Sequence, residues 1–267
     1  VLGRMLTRTG GEPALLSWSG SMFEYLMPLL VMPSYENTLL DRTYKAVVRR
    51  QIDYGNQRGV PWGISESGYN TVDLQMNYQY RAFGVPGLGL KRGLAEDLVI
   101  APYASALALM VEPEAACRNL ERLSDEGFEG AYGLFEAIDY TPSRVPRGSS
   151  YAVVRQFMSH HQGMSLLSLD YLLLDRPMQR RFQADPMLRA DELLLQERIP
   201  KAVAPLFPHV SEASATGATL NDDEGRMRVF TDPAGSSPEV NVRSNGQCHG
   251  MVTHADRRAS RRRDFQL

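Results

Sequence analysis

The sequence predicts a mainly α-helical fold that ends in a short β segment, and two observations carry this. Apolar residues recur at steps of three and four through much of residues 34–198, the stripe by which an amphipathic helix buries one face. Alternation broken by turn residues appears only after Pro205-Leu206-Phe207-Pro208, and no convincing strand precedes it.

In chain order, Leu40, Tyr44, Val47, Val48 and Ile52 mark a first long helix, with Ser34 to cap its start and Gly55 its end. A second helix is expected from Pro102 through Leu107. A third opens with Pro113 in its first turn and carries Ala116, Leu120 and Leu123 to Gly127. The short turn between the two makes them an antiparallel pair. From Tyr151 to Asp175, Val154, Phe157, Met158, His161, Ser165, Leu169 and Leu172 keep helical spacing, and Pro177 and Pro186 punctuate two further pieces up to about Arg198. Residues 208–225, rich in Ser, Ala, Thr, Gly, Asn and Asp, read as a linker. In 226–267, strands are expected at Arg226–Thr231, Glu239–Arg243 and Gln247–Thr253, too few to bury a core of their own and so the opening of a larger β-sandwich.

Composition narrows the class. The 267 residues are 43% hydrophobic and 22% charged, with 29 basic against 31 acidic side chains, which gives no electrostatic case for a nucleic-acid partner. The longest apolar runs, such as Leu26 to Met32, fall far short of the roughly 20 residues that span a bilayer. Cys117 and Cys248 make no disulfide framework, so a reducing compartment is expected. The chain opens on Val1 without a signal pattern and stops at Leu267 in arginine-rich sequence, and is expected to be a piece of something longer.

Three loops combine glycine or aromatic residues with a carboxylate: residues 17–25 around Trp18 and Glu24, 60–70 around Trp62, Glu66 and Tyr69, and 133–140 around Phe135 and Glu136. That combination points to sugar. Aromatic faces pack on the apolar faces of sugar rings, carboxylates and amides bind hydroxyl edges, and glycosidic cleavage needs two carboxyl groups flanking the bond. Each aromatic residue also has a plain reading as a core plug. The glycines at 84, 87, 89 and 93 meet neither the dinucleotide nor the P-loop spacing, so tight turns and close packing explain them. His160 and His161 are adjacent on a helix and point about 100° apart, so they make no i, i+4 metal pair. His161 fits the buried face, whereas His160 and Gln162 can hydrogen-bond a ligand. Ser19 and Ser21 have no base that sequence identifies, and the arginines at 257–263 read as solvated surface.

The strings LLSWSGSMFEYLMPLL, GVPWGISESGYN, YQYRAFGVPGLGLKRGL, DLVIAPYASALAL, YGLFEAIDYTP and SHHQGMSLL together resemble the glucoamylase-like region of cyclic β-1,2-glucan synthases, over about Leu2 to Phe207. The tail RVFTDPAGSSPEVNVRSNGQCHGMVTHA is similar to the first strands of the cellobiose-phosphorylase-like region that follows in the same polyproteins. The resemblance implies an (α/α)6 toroid over residues 1–207, with the site in its central funnel, followed by the start of a β-sandwich. About eight helices are legible where a toroid needs twelve, so its first hairpins are expected to lie outside this chain. It implies an anomer-retaining transglycosylase that closes linear β-1,2-glucan, as donor and acceptor, into rings. It also implies further polyprotein regions on both sides and a place on the cytoplasmic side of the bacterial inner membrane. A non-catalytic carbohydrate-binding module and an inverting endo-β-1,2-glucanase remain the rival readings.

On that footing Glu66 and Glu136 are the expected working carboxylates, with Glu24 as competitor. Trp18, Trp62, Tyr69, Tyr78, Tyr80, Arg92, His160, His161 and Gln162 are expected to line glucose subsites. Tyr69, Tyr78, Tyr80 and Phe83, following Glu66, are the candidates for holding an acceptor sugar against competition from water. No metal or organic cofactor is expected, since carboxylate chemistry transfers a glycosyl group without either.

Overall fold

Leu39, Tyr44, Val47 and Val48 face one way because their spacing puts them on one side of a helix, and the computed structural model buries all four. The structure describes residues 5–9, 12–200 and 206–208 and four strands between 240 and 266. Two units, Val1–Asn221 and Asp222–Leu267, separate by their internal packing.

In the first unit a hairpin of β1 (Leu6–Thr9) and β2 (Glu12–Leu15) precedes a short α1 (Met22–Leu26) and the long α2 (Leu39–Arg58). A second hairpin, β3 (Ser67–Val72) with β4 (Tyr78–Arg81), is followed by β5 (Val99–Ile100), α3 (Pro102–Ala108) and α4 (Pro113–Asp125). Then come β6 (Glu129–Gly130), β7 (Gly133–Leu134), β8 (Ala137–Asp139), β9 (Ala152–Val154), α5 (Ser159–Leu173), α6 (Pro177–Ala184) and α7 (Pro186–Ala190). The core is one cluster, filled from α2 by Val47, Val48 and Tyr54, from α3 by Tyr103, Ala104 and Leu107, and from the strands by Val99, Ile100, Ile138 and Val154.

Helices are found where the periodicity put them, with three corrections. Thr38, not Ser34, caps α2 by accepting the Asp41 N–H, and Gly59, not Gly55, ends it in the left-handed region at φ 69°. Gly55 lies inside the helix because Trp62 packs there: a Cβ at Gly55 would stand 2.7 Å from the Trp62 Cβ. The helix expected from Tyr151 starts only at Ser159, since Ala152–Val154 pair instead with Ala137–Asp139. Strands also precede residue 205. They are two to six residues long and largely buried or half-buried, so few leave an alternating trace. The sheet β5-β8-β9 is antiparallel throughout.

In the second unit, β10 (Val240–Ser244), β11 (Cys248–Thr253), β12 (Arg258–Arg262) and β13 (Phe265–Gln266) form one antiparallel sheet in sequence order. The strand expected at Arg226–Thr231 lies outside the described residues. Among the described residues no helix is long and apolar enough to cross a membrane.

The glycines at 84 and 89 are close-approach positions. The segment 84–89 lies against the backbone of Ser19 and Gly20, and a Cβ at Gly84 would sit 1.7 Å from the Ser19 carbonyl oxygen. Backbone cannot yield as a side-chain tip does. Gly84→Ala is expected to destabilise the protein by about 3 kcal/mol, read as a lower denaturation midpoint at unchanged m-value.

Candidate active site

The loop carrying Glu66 has no strand partner of its own between Val60 and Ser65, and two buried amides stand in for one. Gln51 on α2 donates from Nε2 to the Ile64 carbonyl at 2.8 Å and accepts the Ile64 N–H at 2.8 Å. Asn119 on α4 accepts the Trp62 N–H at 3.1 Å and donates to the Trp62 carbonyl at 2.8 Å. Each amide closes a two-way bond of the kind a neighbouring strand would make. Beyond them, the Ser65 hydroxyl accepts the Phe23 N–H at 2.9 Å and meets the Tyr103 hydroxyl at 2.7 Å. Tyr103 in turn donates to the Glu66 carbonyl at 2.8 Å. The backbone of Glu66 is therefore fixed from α1, α2 and α3, and its side chain is half-buried. Burial raises the Glu66 pKa above the usual carboxylate value, the positive character of His161 opposes the shift, and the charge of Glu24 adds to it.

Beside it lies a buried string of polar groups. Glu136, at the edge of β8 and 3% exposed, accepts the Gly68 N–H at 3.1 Å and holds His161 Nδ1 at 3.0 and 3.1 Å from its two oxygens. His161, 0% exposed in the first turn of α5, stacks on the Tyr103 ring with centroids 3.7 Å apart and planes 9° from parallel. Its Nε2 lies 3.1 Å from the Tyr80 hydroxyl, which is 3.3 Å from His160 Nε2 as well. Burial, with the charges of Glu66 and Glu136 added, holds the Tyr80 phenol far above its usual pKa, so it keeps its proton. Burial and the neighbouring His161 lower the pKa of His160, against a smaller opposing effect of Glu136.

The other expected residues divide. Trp18 is 68% exposed, with its ring open to solvent. Trp62 is corrected: at 6% exposed it belongs to the core, and a ring so covered offers no face to a sugar. Tyr69 is half-buried, edge-on to Phe83 at 5.5 Å, with the guanidiniums of Arg81 and Arg144 over its ring at 5.2 and 5.0 Å. Tyr78 packs on the core, whereas Tyr80 is 37% exposed at the open end of the string. Arg92 lies apart in a cleft of about 130 Å³ with Arg81, Phe83, Lys91, Glu96 and Asp97. Gln162 is exposed. The adjacent imidazoles, expected to diverge, both reach one phenol oxygen.

Glu24 closes a capping box at α1, in which Ser21 accepts the Glu24 N–H. The Glu24 carboxylate accepts the Ser19 hydroxyl at 2.6 Å, the Ser19 N–H at 2.9 Å and the Gly20 N–H at 3.0 Å. These bonds hold it at the end of the loop, with the residue itself on the exposed side. Tyr103 and Ser65 were not legible as site residues, because nothing in sequence separates a tyrosine under an imidazole from one in any core. Among the described residues no group of His, Cys, Asp or Glu is arranged to hold a metal ion.

The site thus offers a carboxyl of raised pKa, a second, exposed carboxylate in the first turn of α1, and a buried carboxylate–imidazole–phenol string. Comparison with known proteins adds kinship. The sequence matches the Glycoamylase family of glucoamylase-like proteins over residues 3–186. The cyclic beta-(1,2)-glucan synthase NdvB of Rhizobium meliloti (strain 1021) is 46% identical over 253 residues, which cover 94% of this chain and 9% of that protein. Two solved structures share the fold. The endo-beta-1,2-glucanase of Chitinophaga pinensis, in complex with sophorotriose and glucose, is 16% identical at a TM-score of 0.50, covering 73% of this chain and 46% of that one. The endo-beta-1,2-glucanase of Talaromyces funiculosus with sophorose is 15% identical at 0.51, covering 77% and 43%.

Proposed function

The chain belongs to the Glycoamylase family, and from that premise we propose that it handles glucan within an enzyme that closes linear β-1,2-glucan into rings, as an anomer-retaining transglycosylase. The observation that carries the reading is kinship with a cyclic β-1,2-glucan synthase along nearly the whole of this chain, although the chain is a small part of that protein's length. Chemistry at the site fits it. Glu66, kept protonated to higher pH by burial, gives its proton to the leaving glycosidic oxygen and takes one back from the incoming hydroxyl. The nucleophile must touch the anomeric carbon. Glu24, exposed in the first turn of α1, meets that demand better than Glu136, whose 3% exposure and bond to His161 suit a positioning role.

The same reading places these helices in a ring that other parts of a longer polypeptide complete, and 226–267 at the start of a β-sandwich. Its support is α5, which buries His161, Met164 and Ser168 while Leu166, Leu169, Leu172 and Leu173 stay exposed. A helix apolar around its circumference is one that is packed on all sides.

Incubating the complete protein with linear β-1,2-glucan tests the function. Rings, together with shorter linear chains of unchanged anomeric configuration, are the expected products. Linear products of inverted configuration would replace this reading with hydrolysis, and binding without turnover would replace it with a carbohydrate-binding module.

A further inference from the structure

Resting on the transglycosylase reading, we propose that Tyr80 is a positioning residue that anchors, on the acceptor sugar, a hydroxyl next to the one that attacks, and thereby favours sugar over water. A carboxylate accepts and cannot donate, so Glu136 fixes the hydrogen of His161 on Nδ1. On the far side of the ring, Nε2 shares a hydrogen bond with the Tyr80 hydroxyl across 3.1 Å. The imidazole has no freedom to turn, since it is fully buried, bonded at both nitrogens and stacked on Tyr103. The direction of the Tyr80 hydroxyl is therefore set from inside the fold.

With one hydrogen bond committed inward, the Tyr80 oxygen keeps its remaining bonding positions for its outer side. One faces the exposed His160 Nε2 at 3.3 Å, and Tyr80 itself is 37% exposed, so a sugar can approach this side chain from solvent. Tyr80 on β4 stands opposite Gly68 on β3, two residues after Glu66, so the anchor so formed lies close along the hairpin to the carboxyl that takes the attacking proton. The transfer step balances without Tyr80 exchanging a proton. The attacking hydroxyl loses its proton to Glu66, its oxygen bonds to the anomeric carbon, and the bond from that carbon to the enzyme carboxylate breaks. Tyr80 shares a hydrogen bond with the adjacent hydroxyl of the same sugar. Water has a single oxygen and cannot occupy both points, whereas a sugar with vicinal hydroxyls can.

The test measures, with the complete protein and sophorose as added acceptor, the ratio of transfer to hydrolysis. Tyr80→Phe keeps the ring and removes the oxygen. The expected result is a ratio lower by about fivefold, the scale of one hydrogen bond, with a raised KM for acceptor and a melting temperature nearly unchanged. Deoxy-sophorose acceptors, each lacking one hydroxyl, give a second measurement on the unaltered protein. One of them should lose about the same factor with the parent and lose nothing further with Tyr80→Phe. An unchanged ratio in Tyr80→Phe, or additive losses for every deoxy acceptor, overturns the proposal. Absence of any transfer by the parent protein would instead overturn the reading on which it rests.

Discussion

Glu66→Gln in the complete protein is expected to lower turnover of β-1,2-glucan by about 10²–10⁴-fold, the usual worth of a positioned general acid, with the fold retained. The same substitution should raise the melting temperature near neutral pH. Burial lifts the Glu66 pKa above its ordinary 4.5, with His161 opposing and Glu24 assisting, so the folded chain holds this proton more tightly than the unfolded chain does. Across the interval between 4.5 and the raised value, unfolding releases the proton, and stability falls as pH rises through that interval. Above it the loss is complete. Glutamine does not titrate, so the variant should gain on its parent above the interval and show no such gain below pH 4.5. In the parent, the alkaline limb of the activity profile should lie above the ordinary carboxylate range. Full activity in Glu66→Gln would remove Glu66 from the chemistry, and a gain in stability equal at all pH values would show that its carboxyl is not perturbed.

Much of the scaffold around Glu66 was legible because helices announce themselves. Prolines 102 and 113 sit in the first turns of α3 and α4, and the stripe through Tyr44, Val47 and Val48 is the buried face of α2. The α2 cap aside, the errors share one cause, which is that contact between distant segments leaves no local trace. Val153 and Val154 fall at helical steps from Phe157, yet their backbone finds partners in β8, and a β-branched pair is content in either setting. Gly55 has the composition of a helix end but is needed inside α2 for the approach of Trp62. Within the site, Glu66 and Glu136 were singled out by their loops, and the structure gives them different surroundings. A half-buried carboxyl and one sealed against an imidazole look alike in sequence, since burial is decided by what folds over them. The string from Glu136 to Tyr80 joins residues 136, 161 and 80, brought together by β8, α5 and β4, and no spacing rule links them.

The largest effect on stability is expected at Arg144. Its guanidinium donates to the Asp139 carboxylate at 2.7 and 3.2 Å, to Asp97 at 2.6 Å and to the Thr141 hydroxyl at 2.8 Å. Asp97 continues the network to Arg81, and both guanidiniums lie over the Tyr69 ring. The side chains of Arg144 and Asp139 are 14% and 0% exposed, so this is not a surface pair of marginal worth. Burial would lower the Arg144 pKa, but the bonds to Asp139 and Asp97 outweigh it and hold the pKa above its usual value. Arg144→Met would leave Asp139 buried with only the backbone N–H groups of Asn70 and Thr141 to face its charge. Stranding a buried charge in this way costs about 3–5 kcal/mol. The consequence reaches the site, because Asn70 belongs to β3, the strand that follows Glu66 and whose Gly68 N–H holds Glu136. Denaturant unfolding of Arg144→Met should therefore show a large fall in midpoint, partly recovered when Asp139→Asn removes the orphaned charge. A loss below about 1 kcal/mol, the range of a solvated pair, would mean that water replaces the guanidinium and that the clamp is not what holds β3 against β8.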